Sequence, residues 1–142
     1  MKLLSLGSSQ LILALVMTGL VLLTVGSLLY YPVSNYFFLQ FQAPAIMSRY
    51  GVQVAIRPTP FPGAARCEAL VVSKIDPQKP LGRLGLKEGD IINMMNNHDP
   101  VVSFYSRLSS KGPQNLRAFE VIDSVDFAKS GWHAKKRTIC PP

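Results

Sequence analysis

From Leu11 to Tyr31 no side chain carries a charge, and apart from the two closing tyrosines the only hydroxyls are those of Thr18, Thr24 and Ser27. A helix rising 1.5 Å per residue needs about 20 residues to cross a hydrocarbon core of roughly 30 Å, so this run is long enough to span one. Lys2 ahead of the run also fits the charge-then-apolar plan of a cleaved signal peptide. The run ends, however, in Leu28-Leu29-Tyr30-Tyr31-Pro32, with no small-x-small cleavage site, which favours an uncleaved anchor. Tyr30, Tyr31, Tyr36, Phe37 and Phe38 suit a membrane–water interface, and Pro32 is expected to end the helix. Gly19 and Gly26, with Thr18 and Ser27 beside them, give a weak signal for pairing with another helix.

The flanks set an expected orientation. Lys2 and the terminal amine lie on one side of the span, and nothing is charged on the other side until Arg49. Counted near the span, this places the amino terminus in the cytoplasm and the carboxyl-terminal domain outside it. A bacterial inner membrane is favoured; a basic organellar membrane protein would look similar. The 142-residue chain thus divides into a tail (1–10), a transmembrane helix (11–31), an uncharged aromatic connector (32–48) and one domain (49–142). The connector either lies against the membrane or a partner, or packs on its own domain.

Beyond Arg49 the pattern turns to short strands. Tyr50 to Ile56 alternates apolar with small or polar residues until Pro58, Pro60 and Pro62 break it. A second strand is expected over Arg66–Ile75, one helical turn over Leu81–Leu84, and a third strand over Asp90–Met95. A turn at Asn96-Asn97 follows, then a helix capped by Ser103 and stopped at Lys111-Gly112-Pro113. A strand over Asn115–Asp123, a hairpin turn at Lys129-Ser130-Gly131 and a last strand over Trp132–Cys140 complete the chain. The expected class is α+β: a partly open antiparallel β-barrel or sandwich with two short helices.

Within this domain the most telling run is Gly85-Leu86-Lys87-Glu88-Gly89-Asp90-Ile91-Ile92. Two glycines that permit φ > 0 bracket Leu86 and a charged pair, and Asp90 leads into an apolar strand. Together with the upstream Ile75-Asp76-Pro77-Gln78-Lys79-Pro80, the run resembles the bacterial type of PDZ domain. The layout of short tail, span, connector and terminal PDZ-like unit is similar to the inner-membrane component of type II secretion that carries such a domain. The resemblance implies a groove between an edge strand and a helix, into which an extended peptide adds as another strand. It places the receiving edge at Tyr50–Ile56, with Arg49, Tyr50, Gly51 and Val52 where the family has its carboxylate-binding loop. Val54 belongs to the same edge, and Phe104, Tyr105 and Leu108 form the opposite wall. The alternative for Val52, Val54 and Ile56 is that they fill the core from one strand face.

Catalytic machinery is not expected. The sequence holds no His-Glu-x-x-His run, no Gly-x-Ser-x-Gly elbow and no phosphate-cradling Gly-x4-Gly-Lys loop, and His98 and His133 read as surface residues. No metal spacing, cofactor or small-molecule substrate is indicated. Cys67 and Cys140 either pair, closing a loop worth about 4 kcal/mol in chain-entropy terms, or stay separate. The net charge of +7 and pI of 9.7 invite a nucleic-acid reading, but an anchor without interleaved exposed aromatics argues against it. Lys135-Lys136-Arg137 then reads as a solvated strand edge or a contact with anionic headgroups. The expected partners are the lipid bilayer and a protein. The expected role is a tethered scaffold or assembly module, or else an accessory subunit of a larger membrane complex that binds no peptide.

Overall fold

A computed structural model of the chain describes residues 7–94, 99–110 and 117–142. The Asn96-Asn97 turn, His98, the stop at Lys111-Gly112-Pro113 and the strand start at Asn115-Leu116 lie outside the described residues. The chain divides into two compact units, Met1–Phe37 and Phe38–Pro142.

The described part of the first unit is one helix, α1 (Ser8–Phe37), none of whose residues is buried. Its mean hydropathy reaches 2.5, and it is the one helix among the described residues long and apolar enough to cross a membrane. The hydroxyls inside it do not stay open. Thr18 donates to the Ala14 carbonyl at 2.8 Å, and Thr24 and Ser27 donate to Val21 and Thr24 at 2.9 Å each. Bonded to their own backbone, they place few unsatisfied polar groups on an apolar rod. The expected stop at Pro32 does not occur, because α1 continues to Phe37 with Pro32 inside it. A proline removes one i→i−4 bond, a loss that many flanking helical bonds and a Ser34 hydroxyl bonded to Tyr31 O at 3.0 Å accompany without ending the helix.

The second unit is α+β. Its five strands, β1 (Val52–Phe61), β2 (Ala64–Ile75), β3 (Ile91–Asn93), β4 (Phe119–Ile122) and β5 (Lys136–Ile139), form one antiparallel sheet in sequence order. Short helices surround it: a π-turn (Phe38–Gln42), α2 (Ala43–Tyr50), α3 (Pro80–Arg83), α4 (Pro100–Ser109), α5 (Ser124–Ser130) and a 3-10 turn (Gly131–His133). The unit therefore begins upstream of the expected boundary at Arg49. The larger part of the connector, from Phe38 onward, belongs to it, since Ala43 and Ile46 are buried and Phe38 and Leu39 pack on the same core.

Because side chains alternate faces along a strand, the sheet sorts its apolar residues into two cores. Leu70, Val72, Ile92, Phe119, Val121 and Ile139 point to one face, where Ile46 and Tyr50 of α2 and Phe104, Tyr105 and Leu108 of α4 cover them. Ala69, Val71, Ile91 and Ile122 point to the other, beneath Phe127 of α5 and Trp132. α5 replaces the expected hairpin turn at 129–131. Asp123 caps it by accepting from Val125 N at 2.9 Å, and a single buried aromatic, Phe127, pins it to the sheet. One apolar anchor in seven residues is too little periodicity to read as a helix.

Two further differences have local causes. α4 starts at Pro100 and is capped by Asp99, whose carboxylate accepts from Val102 N at 3.0 Å, so Ser103 is interior rather than the cap. Cys67 on β2 and Cys140 beyond β5 are both free thiols. With β3 and β4 between their strands, three spacings of about 4.8 Å separate them by about 14 Å, twice the reach of a disulfide.

Gly82 in α3 carries a steric requirement. A Cβ there would run into the carbonyl of Asp76 and the backbone of Pro77. Gly82→Ala is expected to destabilise the second unit by about 1–3 kcal/mol, the range for overpacking, read as a lowered midpoint in urea unfolding. An unchanged midpoint would mean that the loop before α3 yields freely.

Candidate functional site: the β1–α4 groove and the motif turn

Position decides what the groove residues can do. Gly51, at φ 69°, ends α2 by donating its N–H to Met47 O at 2.7 Å and turns the chain into β1. Across from it, α4 is amphipathic, and the sides of Phe104, Tyr105 and Leu108 that were expected to wall a groove are 0%, 0% and 2% exposed. Tyr50, Val52 and Val54 are buried as well. Of the expected groove residues, only Arg49 and Gly51 are not buried, the Arg49 guanidinium lying 5.5 Å from the centre of the Tyr50 ring. The structure does bring these residues together, but as one packed interface. The Tyr50 hydroxyl donates to Leu108 O at 3.2 Å, and the Tyr105 hydroxyl accepts from Val54 N at 3.1 Å. Burial raises the Tyr105 phenol above its ordinary value, against the opposing effect of the Val54 N–H.

Hydrogen-bond direction shows what β1 offers to a guest strand. Val72 donates to Asp90 O and accepts from Gly89 N, both at 2.9 Å, so its backbone faces β3. Its register partner Val54 therefore faces away from β2, and alternation carries Ile56 and Pro58 to the same outer side. Pro58 and Pro60 have no N–H to give, and the Val54 N–H is held by Tyr105. Among Val54, Ile56, Pro58 and Pro60, Ile56 alone keeps a donor. Pro58 and Pro60, expected to break the strand, are accommodated within it because an outward-facing edge position needs no donor.

Two clefts adjoin this interface. One of 440 Å³ lies between α2 and the ends of β1 and β2, lined by Met47, Gly51, Val52, Lys74, Asp76 and Lys79 among others. Another, of 360 Å³ and more apolar, is lined by Ile56, Leu70, Ile92, Met94, Pro100 and Trp132 among others.

The motif turn is built as its glycines suggest, with Gly85 at φ 84° and Gly89 at φ 86°. Leu86 plugs the α2/α4 core. Asp90 is 2% exposed, accepts from Lys87 N at 3.0 Å, and pairs with Arg137 of β5 at 2.5 Å. Arg137 also donates to Gly85 O at 2.8 Å, so one guanidinium ties both ends of the turn to the last strand. The expected basic cluster is thus divided in use: Arg137 latches the turn, and Lys136 pairs with Glu120 at 3.4 Å. Neither the Arg137 latch nor the Tyr105 hydroxyl contact is legible in the sequence, because neither partner is local.

Burial raises the Asp90 carboxyl above its ordinary value, with Lys87 N–H and Arg137 pulling it back. A carboxyl with a folded pKa above the unfolded one binds more protons in the folded state between the two values, so its contribution to stability falls as pH rises through that window. In a carboxyl-carbon NMR titration Asp90 is expected to show a midpoint above 3.8, moving further up in Arg137→Gln. A midpoint at or below the ordinary value would contradict this arrangement.

Comparison with protein families, with characterised proteins and with solved structures finds no match to this chain. No group of three or more His, Cys, Asp or Glu side chains placed to hold a metal occurs among the described residues.

Proposed function

We propose that this chain is a single-pass, membrane-tethered, non-catalytic protein-interaction module of PDZ-like organisation, serving as an accessory or scaffold subunit of a membrane complex. Its amino terminus lies in the cytoplasm and its folded unit outside. The anchor is α1, uncharged along Leu11–Tyr31 and with no buried residue. The observation that favours a fixed subunit over a peptide receiver in the β1–α4 groove is the Tyr105 hydroxyl on Val54 N–H. It occupies the bond that a guest strand would need, in a groove whose walls are core.

A second reading, peptide capture beside β1, is favoured by the apolar cleft at Ile56 and Trp132, which would take a side chain of an extended ligand.

Two measurements on the full chain test the proposal. It should stay with the membrane fraction through alkaline carbonate extraction and, after detergent extraction, co-purify with a fixed set of proteins in constant ratio. A library of free C-terminal peptides should give no saturable binding that protects the Val54 and Ile56 amides from exchange. Release by carbonate would sink the anchor, and micromolar binding with protection at those amides would favour the second reading.

A further inference from the structure

The two edges of the sheet are not equivalent, and the second one is open. Val72 pairs with Asp90 through its backbone, so Leu70 and Ile92 face each other likewise, and Ile91 and Asn93 turn to β4. Their partners Ile122 and Glu120 face back to β3, which leaves Phe119 and Val121 facing β5. Arg137 and Ile139, opposite them, use their backbone groups inward. Lys136 and Thr138 therefore direct N–H and C=O away from the sheet, with Cys140 next in the alternation. All three residues are exposed, and among the described residues no backbone hydrogen bond reaches those outward groups. Where β1 is blocked by two prolines and a tyrosine hydroxyl, β5 keeps every donor.

Charge selects the occupant. From Lys129 to Cys140 the chain carries Lys129, Lys135, Lys136 and Arg137 and no acid. A second copy of β5 laid antiparallel about Lys136 or Arg137 would set basic residues directly opposite one another, and laid about Thr138 would leave the two Arg137 side chains on a diagonal, each less favourable than an acidic guest. Lysines on an edge strand discourage indiscriminate pairing, and the same charges favour an acidic strand through electrostatic complementarity.

We propose that β5 is a docking edge for an extended acidic segment of a partner protein, added antiparallel alongside Lys136–Cys140. This rests on the reading of the chain as an interaction subunit and assigns that role a place in the fold. Main-chain bonds to Lys136 and Thr138 hold the segment, and acidic side chains on it meet Lys135 and share Lys136 with Glu120.

The test uses the full chain in zwitterionic lipid nanodiscs and a blocked peptide of alternating glutamate and valine. Saturable binding is expected, with exchange protection at the Lys136 and Thr138 amides and none at Ile56. A peptide with lysine in place of glutamate should bind at least tenfold more weakly. Thr138→Pro removes an outward donor that the sheet does not use, and should weaken binding at least tenfold with thermal unfolding unchanged. Should that variant unfold, Lys135→Glu serves instead, with a weakening of at least threefold. Binding that protects Ile56 rather than β5, unaltered affinity in the variant, no saturable binding, self-association through β5, or protection of β5 by anionic vesicles alone would overturn the proposal. Carbonate resistance and partner co-purification report separately on the underlying role, so a failed peptide experiment with both intact removes only the β5 edge.

Discussion

Phe104→Ala is expected to lower the unfolding free energy of the second unit by about 3–5 kcal/mol, the cost of removing a large aromatic side chain from a close-packed core. Phe104 is fully buried and meets the Phe119 ring edge-on at 5.1 Å and the Tyr105 ring at 5.4 Å. Losing it removes apolar burial, leaves a cavity beneath α4 and loosens the helix that holds the Tyr105 hydroxyl over Val54. A groove wall would behave differently, since truncating a side chain that faces a ligand weakens binding more than folding. The check is urea unfolding followed by far-ultraviolet circular dichroism. A midpoint shift corresponding to less than about 1 kcal/mol would mean that α4 packs far more loosely than its burial indicates.

How much of this was legible in the residues depends on how local each cause is. The uncharged run from Leu11 and the positive-φ glycines of the motif turn are written in adjacent residues, and both stand as expected in the structure. The α+β class and the antiparallel strands followed from alternation. Pro32 and Pro58 misled for opposite reasons: one sits in a helix long enough to carry the lost bond, the other on an edge where no bond was due. The groove was hardest to read. Phe104, Tyr105 and Leu108 give the same helical stripe whether they line a cleft or close a core, and only the fold, through their burial and the hydroxyl contact at Val54, distinguishes the two. Arg137 lies far along the chain from Gly85 and Asp90, and nothing in its neighbourhood points to them. A two-residue spacing of Val54, Ile56, Pro58 and Pro60 was the one available sign that the β1 edge is poor in donors.

The second large effect concerns α1. Leu20→Arg combined with Leu23→Arg is expected to abolish stable integration of the chain in the membrane. Each arginine near the centre of a span costs about 2.5–3.5 kcal/mol on an insertion scale. Two together shift the insertion equilibrium by about four orders of magnitude, and the double variant should appear in the carbonate supernatant or be degraded. Leu20 and Leu23 are 54% and 74% exposed, so neither change disturbs packing within the protein. Retention of the double variant in carbonate-washed membranes would place the anchoring elsewhere in the chain.

Residue-resolved hydrogen exchange of the full chain in lipid nanodiscs reads the anchor, the closed β1 edge and the open β5 edge in one experiment. Amides from Leu11 to Tyr31 are expected not to exchange over hours, with slow exchange at Val54 beneath Tyr105 and fast exchange at Lys136 and Thr138. Exchange of the Leu11–Tyr31 amides within seconds, or a Val54 amide as fast as Lys136, would contradict this arrangement.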